Sequence, residues 1–371
     1  MLKFYIGIIC MLLSGCIFAQ NTKIEKFYVG TFTSEGAEGI YLCNFDSATG
    51  EIALTKTFKG IDNPSFLKIS PDKNFLYAVT RPQEKIEESG GYLQAYKIEK
   101  DGSLKFINKQ VSNGSDPCHV DVSPDGKFVA IATYGSGTTS LYQVTENGGI
   151  NSAASTIVNT GSGLTSRQKA PHAHSIKFSK NGKQVFSADL GTDKLNIFDL
   201  KKSKLVPAKQ PFVKLTPGAG PRHFAFHPHA NIIYVINELN STVYVLEKQG
   251  KNWEVVQSVL TIPENFSGEN YCADIHVSAD GKFVYGSNRG HNSIVVFKTD
   301  PLTKQLEFIT TVSTRGDWPR NFTLSPDGKF LLAANQRTGN IVVFKIEKNT
   351  GIPEFSGNEI KLPAPVCLEF L

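Results

Sequence analysis

One phrase, written six times with small changes, restricts this chain to very few architectures. The copies read NPSFLKISPDKNFLYAV, DPCHVDVSPDGKFVAIA, HSIKFSKNGKQVFSA, GPRHFAFHPHANIIYVI, CADIHVSADGKFVYGS and WPRNFTLSPDGKFLLAA. They recur roughly every 50 residues, a period in the range of propeller blades. Each copy reads as two short strands around a tight turn. In the fifth, IHV and FVYGS flank Asp280-Gly281. An Asp-Gly pair between β-branched or aromatic runs signals a hairpin, because Gly accepts the positive φ the turn needs. Two more runs complete each unit, as STVYVLEK and WEVVQSVLTI do after the fourth copy. Four antiparallel strands per repeat make a blade, and blades in a ring make a propeller.

The two ends of the chain supply the blade count. The closing PVCLEFL matches the first half of the phrase and then stops, and the missing half, FYVGTFT, begins at Phe27. Six whole copies and one split between the termini predict an all-β, seven-bladed propeller closed by pairing its N- and C-terminal segments. Such closure removes the open seam that an edge strand would leave.

Length alone argues for two domains or more. A closed ring overrides that prior, and no Pro/Gly linker divides the chain, so one propeller domain is expected over residues 24–371. The formal charge of +5 is spread over Lys residues in turns such as PDGK and KNGK. That is a solvated surface without a basic-aromatic stripe, so no nucleic-acid partner is expected. A monomer is favoured.

Lys3 and the apolar stretch from Phe4 to Leu13 form a signal-peptide pattern, too short to span a bilayer. Two cleavage readings compete. Residues 1–19 end in Ile17-Phe18-Ala19, an ordinary signal-peptidase site, whereas Leu13-Ser14-Gly15-Cys16 resembles a lipobox with Cys16 as a lipid anchor. Either reading exports the mature protein, to the periplasm or to the membrane surface of a bacterial envelope. Beyond the leader, Cys43, Cys118, Cys272 and Cys367 have irregular spacing and form no CxxC. They are expected to be structural thiols and not disulfides.

Aligned on the turn Gly, the copies differ at one end only. Eight residues before it stand Ser65, Cys118, His174, Arg222, Ala273 and Arg320, followed by Phe66, His119, Ser175, His223, Asp274 and Asn321. Seven residues past it stand Thr80, Thr133, Asp189, Asn237, Asn288 and Asn335, followed by Arg81, Tyr134, Leu190, Glu238, Arg289 and Gln336. Antiparallel pairing puts these columns at one face of the ring, around the channel mouth. The Asn residues suit structural capping of neighbouring loops. Arg222, Arg289 and Arg320 repel one another unless anions join them, and Glu238 and Asp274 supply only part of that charge. A ligand carrying a carboxylate, phosphate or carbonyl fits their planar forks.

His174, Arg222, Glu238 and Arg289 fall on three consecutive blades. Histidine is suited to general-base work near neutral pH, and a carboxylate can orient it. Arginines can stabilise the oxyanion of water attack on an ester. No GxSxG is present. The pair His172 and His174 is a weak metal cue without HExxH spacing, so neither a metal nor another cofactor is expected.

The segments YVGTFT, PHAHS, GPRHFAFHP, NELNSTVYVL, ADIHVSADGKFVYGSNRG and PRNFTLSPDGKFLLAANQ together resemble the seven-bladed propeller lactonases. That family includes bacterial 6-phosphogluconolactonases and fungal carboxy-muconate lactonising enzymes. The resemblance covers essentially the whole mature chain. It implies a metal-independent site at one channel mouth, with the family's proposed His, Arg, Glu and Arg at His174, Arg222, Glu238 and Arg289. The expected function is hydrolysis of a small sugar-type lactone. His174 would be the general base, Glu238 its partner, and Arg222 and Arg289 the carbonyl and anion holders. His119, His172, His223, Asp274 and Arg320 would contact the substrate. Lactone-forming cycloisomerisation and non-catalytic capture of a carbohydrate or protein are the alternatives. An exported enzyme departs from the cytosolic setting of phosphogluconolactone and would meet unphosphorylated lactones more readily.

Overall fold

The computed structural model describes residues 23–82 and 90–371. The leader, with Cys16 and both cleavage motifs, lies outside the described residues. Among those described, 28 strands form seven four-stranded antiparallel sheets, with two short 3-10 helices between them. Six sheets follow chain order, and the seventh pairs the C-terminal strand Pro365–Phe370 with the N-terminal strand Ile24–Thr31. Its register joins Val29 to Leu368 and Gly30 to Cys367, so the split repeat closes the ring as expected. The blades are numbered one to six by their copy of the phrase, and the composite blade is the seventh.

The conserved turn explains itself in hydrogen bonds. In blade two the Ser123 hydroxyl donates to Asp125 Oδ1 at 2.7 Å and accepts the Phe128 N–H at 2.9 Å. Gly126 there has a φ of 72°. Ser278 with Asp280 and Ser325 with Asp327 repeat the device. The phrase SPDGKF is thus a turn staple, and it sits at the end of the ring opposite the variable columns.

Alternating apolar residues on each strand are buried between neighbouring blades, giving one apolar cluster per blade interface. A fully buried Val, Leu or Phe in such a cluster contributes about 1.5–3 kcal/mol. Four interfaces add a hydroxyl clamp. Tyr28, Tyr77, Tyr234 and Tyr285 each donate to a backbone carbonyl in the next blade's outer turn, at Gly102, Gly148, Lys304 and Gly351.

The innermost strands line the channel and share one irregularity. In blade one Pro64 pairs with Thr80 and Phe66 with Val79, leaving Ser65 as an extra residue. The same one-residue shift leaves over Cys118, His174, Arg222 and Arg320 in blades two, three, four and six. In blade five it falls at Ala273-Asp274, and in blade seven at Val366. A bulge bends its strand and re-aims a side chain. The column eight residues before the turn is therefore a ring of bulges at the channel mouth.

Candidate active site at the channel mouth

The bulges bring Ser65, Cys118, His174, Arg222, Arg320 and Val366 around one small enclosed cavity, completed by Phe66, Arg81 and His223. Arg222 lines the cavity, whereas Glu238 and Arg289 stand outside its lining, with Glu238 between the two arginines. The Glu238 carboxylate meets Arg289 Nη2 at 2.7 Å, Arg222 Nε at 3.1 Å and Arg167 Nη2 at 3.0 Å. The Arg222 contact is an ion pair whose angle does not make a hydrogen bond. Burial pushes the Glu238 carboxyl upward, but the three guanidiniums outweigh it and hold it at about 2. Glu238 is thus a fixed anion that assembles arginines. Among the described residues no hydrogen bond joins it to His174.

Arg222 is nearly inaccessible, at 2% exposure, and its Nη1 donates to the Ala273 carbonyl at 2.6 Å. Burial, then the Arg289 charge, lowers its pKa to about 10, so it stays cationic at neutral pH. Arg289 is anchored twice more, through Nε to the Tyr271 carbonyl and Nη2 to that of Cys272. Arg320 has no carboxylate partner among the described residues. Its guanidinium lies 5.0 Å from the Phe32 ring, which also carries Arg81 at 4.8 Å. Burial, then Arg222, Arg289 and Arg81, pushes the Arg320 pKa well down. Phe32 thus carries two guanidiniums, of which Arg81 also meets Asp116 Oδ1 at 3.6 Å.

His174 and His223 line the cavity, and His119, expected to contact the substrate, lies against His223 but outside the lining. The rings of His174 and His119 lie 5.4 Å and 5.2 Å from that of His223. All three are buried, and burial is the first cause holding each well below its ordinary value. Each ring is neutral at pH 7. His119 stacks on Phe66 at 4.0 Å and its Nδ1 accepts the Ile176 N–H. His223 Nδ1 lies 2.8 Å from Asp274 Oδ1. His172 is outside the cavity lining: it stacks on Tyr134 at 4.4 Å, with its backbone N–H held by Asp189. The two histidines of PHAHS therefore part company, and His174 is the one that lines the cavity.

The capping expectation holds for the Asn column. Asn237 donates to Thr242, Asn288 to Thr261 and Ser293, and Asn335 to Thr314 and Asn340. The four cysteines beyond the leader are buried free thiols. Among the described residues no group of three or more His, Cys, Asp or Glu is arranged to hold a metal ion. Sequence reasoning overlooked Arg167, which arrives on the 3-10 helix Ser166–Gln168 in a connection that has no counterpart in the repeat. It also passed over Arg81 and Phe32, although Arg81 stood in an aligned column.

Comparison with known proteins agrees with this fold. The family model described as lactonase, 7-bladed beta-propeller, matches residues 26–370. A 6-phosphogluconolactonase of Bacillus subtilis is 39% identical over 93% of this chain and 97% of its own. One from Formosa agariphila is 36% identical over 80% of this chain and 85% of its own. The solved structure of a periplasmic gluconolactonase from Pseudomonas aeruginosa superposes with a TM-score of 0.88 at 29% identity, covering 94% of this chain and 99% of that one. With the ring, the closure and the matched length in agreement, the chain belongs to the seven-bladed β-propeller lactonase family.

Proposed function

We propose that the protein hydrolyses a sugar-type lactone at this mouth by adding water to the ring carbonyl. One observation carries the reading. Ser65 Oγ, Arg81 Nε, His174 Nδ1 and His223 Nε2 are buried without a hydrogen-bond partner among the described residues, and all four residues line the same cavity. Buried polar atoms are normally satisfied, so a group of orphans around one space marks a ligand's place. The donors suit a carbonyl and its oxyanion, and the neutral imidazoles suit proton removal from water. The names of the relatives, 6-phosphogluconolactonase and gluconolactonase, support the same substrate class.

In this reading Arg222 faces the carbonyl oxygen, while Arg81 and Arg320 stand where a phosphate would sit when the lactone carries one. Glu238 and Arg289 act through Arg222, because their own contacts are already committed. The N-terminal leader, together with a periplasmic relative, supports export. Outside the cytosol, gluconolactones without phosphate become the more accessible substrates. The test is proton release by the mature protein against glucono-δ-lactone, its 6-phosphate and an acyl homoserine lactone, each compared with spontaneous opening. Acceleration lost in Arg222→Ala supports the reading. No acceleration on any of them, with tight binding of a sugar acid, replaces it with a binding propeller.

A further inference from the structure

Resting on the lactone-hydrolase reading, we infer that His223, oriented by Asp274, is the general base that takes the proton from the attacking water. His223 follows the bulge of blade four and Asp274 lies in that of blade five, so the same column on adjacent inner strands puts the imidazole beside the carboxylate. Asp274 is buried and its oxygens are fully engaged. Oδ1 accepts from His223 Nδ1 at 2.8 Å and the Ile275 N–H at 2.9 Å. Oδ2 accepts from His276 Nε2 at 3.0 Å and Asn321 Nδ2 at 2.5 Å. Asn321 is itself fixed, its Oδ1 accepting the Leu368 N–H of blade seven.

This shell decides the tautomer. Burial pushes the Asp274 carboxyl upward, but His276 and His223 outweigh it and hold the group well below the usual carboxylate range. An ionised carboxylate only accepts, so the proton of His223 sits on Nδ1 and Nε2 presents a lone pair. That Nε2 is buried, has no hydrogen-bond partner among the described residues and belongs to a residue lining the cavity. His174 also lines the cavity, yet among the described residues no carboxylate is hydrogen-bonded to its ring to set its tautomer. A base held by a third group is the arrangement found in activated nucleophile sites.

The step balances without a further reactant. Water oxygen bonds to the carbonyl carbon, the π pair moves to the oxygen facing Arg222, and the water proton passes to His223 Nε2. Collapse of the tetrahedral intermediate breaks the ring C–O bond. The departing alkoxide takes the proton from Nε2, leaving a hydroxy acid whose carboxyl proton goes to solvent. The charges facing the ring are Asp274, Arg222 and Lys177, with the neutral rings of His119 and His174 beside it. Asp274 steadies the transient imidazolium, and the oxyanion offsets Arg222.

The test compares wild type, His223→Ala, His174→Ala and Asp274→Asn on whichever lactone the wild type opens, with thermal melts confirming folding. His223→Ala is expected to lose about 10²–10⁴ in kcat with little change in KM. Added imidazole should restore part of that rate in proportion to its free-base fraction, and should not rescue His174→Ala. Asp274→Asn should lose kcat and regain nothing with imidazole. His223→Ala turnover within about threefold of wild type, or imidazole rescue of His174→Ala alone, overturns the assignment. Wild-type protein that opens no lactone overturns the underlying hydrolase reading instead.

Discussion

Glu238 Oε2 and Arg289 Nη2 stand 2.7 Å apart, with both side chains about 5% exposed. Glu238 is ionised because Arg289, Arg222 and Arg167 surround it. Breaking one side of a buried pair costs about 3–5 kcal/mol, since the partner charge stays buried without compensation. Glu238→Gln would leave Arg222, Arg289 and Arg167 facing one another. The expected result is a urea midpoint lowered by that order of free energy, with activity lost. A midpoint unchanged within error would show that Glu238 is not the anchor.

Stability should fall on the acid side in two stages. His223 titrates at about 4 in the folded protein against an ordinary 6.5, chiefly through burial, and His119 and His174 are displaced the same way. Unfolding frees these rings to take up protons. Their contribution is complete above about 6.5 and is lost as pH falls towards the folded values. Glu238, at about 2 against an ordinary 4.5, adds a second loss below about 4.5. Melting temperatures measured from pH 8 to pH 4 should decline below about 6.5. Calorimetry near pH 5 should show proton uptake on unfolding, and proton release there would reverse the sign of this argument.

Arg320 separates affinity from stability. It repels Arg222, Arg289 and Arg81 and has no carboxylate partner among the described residues. Arg320→Ala should therefore leave the melting temperature unchanged or raise it. Charge-assisted hydrogen bonds are worth about 1.5–3 kcal/mol. The KM for the 6-phosphorylated lactone should rise roughly tenfold or more, while that for glucono-δ-lactone stays within about threefold. Equal losses on both substrates would remove the anion site from Arg320.

Tyr234→Phe tests the blade clamp. Its hydroxyl donates to the Lys304 carbonyl at 2.8 Å across the interface of blades four and five. Loss of that bond should cost about 1 kcal/mol in a urea titration, with kcat unchanged. A change in kcat at constant stability would tie this outer contact to the site.

The blades were legible because the turn staple is written in residue types. Ser, Asp and Gly recur at fixed offsets, so copies could be aligned and counted. The split repeat was legible for the same reason, since PVCLEFL and FYVGTFT complete one another. The bulges were not, because a shift of register is a backbone event that no residue type marks. His223 and Asp274 stood in one column of the alignment, but their contact depends on how two blades lean together. Arg167 lay out of reach altogether. It enters on a connection that the repeat does not contain, and only the folded ring brings it to Glu238.

The leftover residue of each inner strand has a wider meaning. Because it answers to no partner across the sheet, its identity is not policed by strand pairing. Serine, cysteine, histidine, arginine, alanine and valine all occupy that post around the same ring. The propeller thus behaves as a holder with seven interchangeable sockets, whose contents can be exchanged one at a time while the frame stays put. A lineage built on it can change what it binds without first relearning how to fold.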